Sequence, residues 1–215
     1  MNDLIKNVVA VCINSSHTFS KTIQKEIKLI KMIGVEGDAH AGKYVKHLSR
    51  VKKHPKDINL RQVHLIEKEL LEELLQDGFE IRPGNLGENI TTSGIELIKL
   101  PKETILKIGD DVQLEITGLR DPCWQIDAYK NGLLKKMISK DEYGNIIRKT
   151  GIMTIVKNGG IIKEGDLLVL VSKSGETEET VEAGEKKSVL INRKPSDFLK
   201  KKTNVPLNKG SFANR

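Results

Sequence analysis

Cys123 follows Pro122 in the run Arg120-Asp121-Pro122-Cys123, a setting suited to sulfur or metal chemistry. Proline fixes φ and has no N–H, so the backbone ahead of the thiol is stiff. An arginine three residues upstream favours the thiolate, which is the nucleophile and the metal ligand. A free cysteine is equally often a small buried hydrophobe, and Cys123 alone does not decide between the two. A second polar cluster, Pro83-Gly84-Asn85-Leu86-Gly87-Glu88-Asn89, precedes it. Gly84 and Gly87 let backbone approach a ligand and present N–H groups to it, with Asn85 between them. Glu88 could accept two hydrogen bonds from an amidine-like edge, such as the 2-amino and N3 positions of a pterin. Asn89 both donates and accepts. The same residues would also make a tight inter-strand turn held by Asn89.

A third cluster is Gly34-Val35-Glu36-Gly37-Asp38-Ala39-His40-Ala41-Gly42. In extended backbone, residues two apart point the same way, so Asp38 and His40 could face one pocket. Ligand binding or proton transfer would follow. The plainer alternative is that Asp38 caps a turn and His40 is exposed. No second His or Cys stands at a spacing typical of structural zinc. Arg120 can grip an anion bidentately. Arg61 and Lys43 are lesser basic candidates, and His64, between Val63 and Leu65, is expected to face solvent.

Taken in order, GVEGDAH, PGNLGENI and RDPC, followed by Gly151-Ile152 and Gly165-Asp166, resemble the MOSC family. This domain is found at the C-terminus of molybdenum cofactor sulfurases, and the chain looks most like the small stand-alone bacterial members. The resemblance runs from about Lys6 to Val171. It implies a β-barrel like the one inserted in pyruvate kinase. It implies binding of the molybdenum cofactor, a Mo-pyranopterin, through Asp38, His40, Gly84, Asn85, Gly87, Glu88, Asn89 and Arg120. Pyridoxal phosphate binding is implied at the level of the family only. Cys123 would be the sulfur ligand to molybdenum, and a soft thiolate suits such a centre. The implied activity is reduction of N-hydroxylated compounds. No iron–sulfur cysteine set or GxGxxG fingerprint is present, so electrons would come from a separate partner protein. Two other readings stay open: sulfur transfer through a Cys123 persulfide, and a non-catalytic module that stores or delivers the cofactor.

These clusters need elements to position them. Ile5–Ile13, Glu26–Met32 and Gln62–Ile66 read as strands, and Val112–Ile116 alternates strictly. Leu167–Val171 reads as a buried strand after a Gly-Asp turn. Leu70, Leu71, Leu74 and Leu75 predict a helix over Glu67–Gln76, stopped by Asp77-Gly78. Ala128–Ser139 predicts a second, interrupted at Asn131-Gly132. Lysine-rich His47–Asn59, broken by Pro55, reads as an exposed loop. Short strands between glycine turns predict a mainly β chain with a few short helices, closed or nearly closed into one barrel. Residues 1–171 form that domain, and 172–215 are a polar, basic, flexible tail.

The chain has 215 residues and a net charge of +7. The tail carries +4 of it, so the body is mildly basic and nucleic acid is not an expected partner. The expected partners are the cofactor and a small-molecule substrate. No apolar run approaches the ~20 residues that span a bilayer. No signal-peptide plan is seen, and two cysteines suit a reducing compartment, so a cytoplasmic protein is expected.

Overall fold

A computed structural model describes residues 5–171, all within one compact unit, Met1–Glu179. The expected tail, 172–215, lies outside the described residues.

In chain order the elements are β1 (Asn7–Ile13), β2 (Thr22–Gln24), β3 (Glu26–Ile30), β4 (Gly34–Val35) and α1 (Leu48–Val51). Next come β5 (Val63–Glu67), α2 (Lys68–Gln76), β6 (Ile90–Ser93), β7 (Ile105–Ile108) and β8 (Val112–Leu119). Last are α3 (Gln125–Tyr129), α4 (Leu133–Lys136), β9 (Ile138–Lys140), β10 (Ile146–Arg148), β11 (Ile152–Asn158), β12 (Gly160–Lys163) and β13 (Leu168–Val171). A 3-10 turn at Leu97–Lys99 links β6 to β7.

The molecule is mainly β. One eight-stranded sheet runs β13-β7-β8-β11-β5-β6-β1-β2. A three-stranded sheet, β12-β3-β4, and a β9–β10 ribbon accompany it. The expected single closed barrel, like that of pyruvate kinase, is corrected to this set of open sheets. β1 explains why. One edge pairs with β6 over Asn7–Val11, and its C-terminal part pairs with β2 over Val11–Ile13. The far end of the sheet reaches β1 only through an isolated bridge, Asn7↔Leu167, and backbone hydrogen bonds that join Lys6 and Val8 to 165–168.

Side-chain alternation builds the core. In β8, Val112, Leu114 and Ile116 point inward. In β1 a bulge between Val8 and Ala10 shifts the pattern, and Ala10, Val11 and Cys12 are buried in succession. Such bulges bend a strand and re-aim its side chains. The strands bury one apolar cluster that includes Leu65, Ile90, Leu106, Leu114, Ile152 and Val156. α2 connects the parallel pair β5 and β6 and covers a second cluster through Leu70, Leu71 and Leu74, while Leu75 stays exposed. Gly78, at φ +85°, ends that helix. The helix expected over 128–139 is two short ones, α3 and α4, parted at Gly132 with φ +83°. No helix among the described residues is long and apolar enough to cross a membrane.

Candidate functional site

The glycine-rich bend after β4 buries Asp38. Its carboxylate accepts from His40 N at 3.0 Å and Asn89 Nδ2 at 3.0 Å, lies 3.3 Å from His40 Nδ1, and pairs with the Lys21 ammonium. Burial opposes ionisation of Asp38, but the His40 hydrogen bond and Lys21 outweigh it and hold the carboxyl well below its usual range. Burial lowers the pKa of Lys21 while Asp38 pulls the other way. Asp38 therefore fixes two cavity residues, His40 and Lys21, from behind the wall.

The 83–89 loop packs against the Phe19–Lys21 segment. Gly84, at φ +85°, is needed for this: a Cβ there would lie 2.5 Å from Lys21 O. A Cβ on Gly87 would lie 2.5 Å from Phe19 O. Asn85 accepts from Arg82 N at 2.9 Å, and its carbonyl accepts from Ser20 Oγ at 2.8 Å. Glu88 is fully buried. Its oxygens accept from Gly84 N at 2.6 Å, Leu86 N at 3.2 Å and Thr91 Oγ1 at 3.2 Å. Burial pushes its pKa up, against the pull of these donors. Asn89 Oδ1 accepts from His64 N at 3.2 Å, and its Nδ2 also donates to Cys12 O at 3.1 Å. Gly84, Asn85 and Glu88 thus act inside the loop, and the lining reached from here is Gly87 and Asn89.

The cavity has a volume of about 730 Å3. All five histidines of the chain line it: His17, His40, His47, His54 and His64. Three of the rings lie close together in tilted contact, with centroids 4.9 Å apart for His17 and His40 and 5.8 Å for His40 and His47. Four fixed cations, Lys21, Arg50, Arg61 and Arg120, share the wall with one carboxylate, Asp57, which lies 3.3 Å from His54. Burial and neighbouring cations push His47 down to about 4, and burial with Arg120 pushes His64 well below its usual value. Among the described residues, no three His, Cys, Asp or Glu side chains converge as a metal site.

Two buried nitrogens lining this cavity have no hydrogen-bond partner among the described residues, Arg120 Nη1 and Gln62 Nε2. A buried donor left unsatisfied is costly, and both belong to residues lining the same cavity. Burial lowers the Arg120 pKa, while Cys123 and Glu88 act to raise it. Arg120 is held from the chain side by its own carbonyl, which accepts from Thr150 Oγ1, and its guanidinium lies 6.0 Å from the Phe19 ring centroid.

Cys123 is half-buried, with Sγ 3.5 Å from Gln125 Oε1. Gln125 and Arg120 line the cavity, and Cys123 is beside the lining rather than in it. Cys12 is buried in β1. The structure therefore brings His40, Gly87, Asn89 and Arg120 to one cavity, with Asp38, Gly84, Asn85 and Glu88 behind it and Cys123 beside it.

One expectation is corrected. His64 does not face solvent: it is buried, with Nε2 2.8 Å from Thr150 O, because β5 is covered on both faces. The 47–59 segment is largely exposed, as expected, but it carries α1 and lines the cavity with His47, Arg50, His54 and Asp57. Sequence reasoning passed over Gln62, Lys21, Arg50 and three of the histidines. One signal was available: every histidine falls between His17 and His64.

A family comparison matches residues 37–169 to the MOSC domain. The chain belongs to the MOSC family. That match contains Asp38, the 83–89 loop and Cys123, and the MOSC family is associated with molybdenum cofactor binding. Among solved structures, this MOSC chain is similar to the YuaD protein from Bacillus subtilis at 22% identity and a TM-score of 0.63, covering 76% of this chain and 94% of that one. It is similar to YiiM from Geobacillus stearothermophilus at 18% identity and a TM-score of 0.55, covering 78% and 76%. YiiM from Escherichia coli follows at 18% identity and a TM-score of 0.53, covering 79% and 71%. These likenesses show the fold. A comparison with curated proteins gives no match.

Proposed function

We propose that this chain binds a molybdenum cofactor in the histidine- and arginine-lined cavity. The observation that carries the reading is the pair of unpartnered donors, Arg120 Nη1 and Gln62 Nε2, on one wall of it. An acceptor-rich anionic ligand would satisfy both, and a phosphorylated pterin is one. Asn89, Gly87 and His40 present further polar groups on the same wall. A metal that arrives inside an organic cofactor needs few protein ligands, and Cys123 beside Arg120 and Gln125 is the thiol in reach. When bound, the cofactor supplies a molybdenum centre able to pass two electrons to a substrate.

The activity proposed on this basis is reduction of an N-hydroxylated compound. The N–O bond breaks, two electrons enter from a separate electron-carrier protein, two protons are taken up, and an amine and water leave. His40, oriented by Asp38, is the proton-transfer candidate facing the cavity. The test is expression in a host that makes the cofactor, followed by elemental analysis and pterin fluorescence. Stoichiometric molybdenum, reduced in Arg120→Gln and Gln62→Leu, is expected. Wild-type protein free of both metal and pterin would sink the reading.

A second reading rests on Cys123 standing beside the lining rather than in it: the thiol carries sulfur as a persulfide. Cyanide-releasable sulfur on metal-free protein would favour it. Bound cofactor without turnover would favour a storage or delivery module.

A further inference from the structure

The cavity holds more positive charge than the proposed cofactor contacts use. Arg120 and Gln62 supply the orphaned donors, and Lys21 is neutralised by Asp38. That leaves Arg50 and Arg61, both on the segment that leads from α1 to β5. Neither guanidinium forms an ion pair among the described residues. The other charged wall residue of that segment, Asp57, is taken by His54. Arg61 is repelled by Arg50 and Arg120 and attracted by Asp121, which itself lies 3.9 Å from Arg148 Nε. Arg61 is half-buried and Arg50 exposed, and an anion between these two like charges would offset their repulsion. The same wall carries apolar surface, Val45, Leu48, Leu60 and Met153, suited to the body of a small organic molecule.

We infer that Arg50 and Arg61 form a second anion subsite that takes an oxyanion group, a carboxylate or a phosphate, on the substrate. Resting on the proposed cofactor reading, this makes the substrates anionic N-hydroxylated compounds, with the oxyanion held on the 50–61 side and the N–O group directed towards Arg120. Arginine suits the task because its planar fork engages a carboxylate or phosphate with two parallel hydrogen bonds.

The test is calorimetric binding of three benzamidoximes that differ only at the para position: hydrogen, carboxylate or phosphonate. Protein with and without molybdenum is titrated, as wild type, Arg50→Gln, Arg61→Gln, Arg61→Lys and, as a charge control outside the cavity, Lys52→Gln. The anionic probes should bind the wild type about tenfold or more tightly than the neutral one, the scale of one charge-assisted hydrogen bond. Arg50→Gln and Arg61→Gln should remove that preference at unchanged molybdenum content. Arg61→Lys should keep part of it, and Lys52→Gln all of it. The carboxylate and phosphonate arms tell which oxyanion fits better. Equal affinity for all three probes in the wild type overturns the inference. So does loss of molybdenum in the Arg50 or Arg61 variants, because those arginines would then hold the cofactor. Failure of the wild type to load molybdenum removes the cofactor reading alone, since the arginine-dependent preference is still read on the metal-free chain.

Discussion

The two cysteines show how environment divides one chemistry. Cys12 is enclosed in β1; burial, with Glu88 adding and Lys21 opposing, pushes its thiol up to about 12. Such a thiol stays protonated and inert at neutral pH. Cys123 is half-buried within the electrostatic reach of Arg120. Iodoacetamide should therefore modify Cys123 first, with bound cofactor protecting it; peptide mapping that finds Cys12 first would overturn this. Cys12→Ser should cost about 1–3 kcal/mol for a buried hydroxyl and leave cofactor loading intact. Glu88→Gln sets an amide donor against loop N–H donors and should cost about 1–3 kcal/mol by chemical denaturation. An unchanged midpoint would mean the loop does not depend on this carboxylate. At this scale the site was partly legible. Asp38, His40 and Arg120 stood out by residue type and spacing, but what surrounds Glu88 did not. A carboxylate beside glycines reads alike whether it faces a ligand or its own backbone.

Among the elements, the bend that carries Asp38 meets Lys21 of the segment before β2, and there packing depends on charge. Asp38 has a folded pKa below its ordinary value of 3.8, so its contribution to stability is present above that value and is lost as pH falls below it. Asp38→Asn should flatten the acid limb of the stability–pH curve. It should also cost about 3–5 kcal/mol near neutral pH, because a buried ammonium loses its partner. An acid limb identical to wild type would show that Asp38 is not the group being titrated. Gly84→Ala should lower the melting temperature, since no side chain fits 2.5 Å from a carbonyl at φ +85°. Strands with clean alternation, such as β8, were readable in advance. β11 was not, because Ile152 to Val156 are buried on both faces and show no period of two. The segment from His47 to Asn59 read correctly as exposed, but nothing in its composition showed that His47, Arg50 and His54 border the cavity.

At the scale of the molecule, anion binding in the cavity should couple to protons. His47 titrates at about 4 through burial and the nearby His40, Arg61, Arg120 and Arg50. An anion among those groups offsets their repulsion and raises that value, so binding takes up protons and tightens as pH falls. Phosphate titrations in buffers of different ionisation enthalpy should report net proton uptake, and zero uptake would mean the histidines do not sense the anion. Fold class and the ordering of the motifs were visible in the sequence. How the sheet ends was not, because pairing between residues about 160 positions apart leaves no local pattern. Those ends meet through one bridge and a few amides, so the joint between Lys6–Val8 and 165–168 is a seam that can open while the ladders beside it stay shut. Hydrogen exchange should find the amides of Gly165 and Leu168 releasing deuterium well before those of β8 and β11, and the molecule would breathe along that line first.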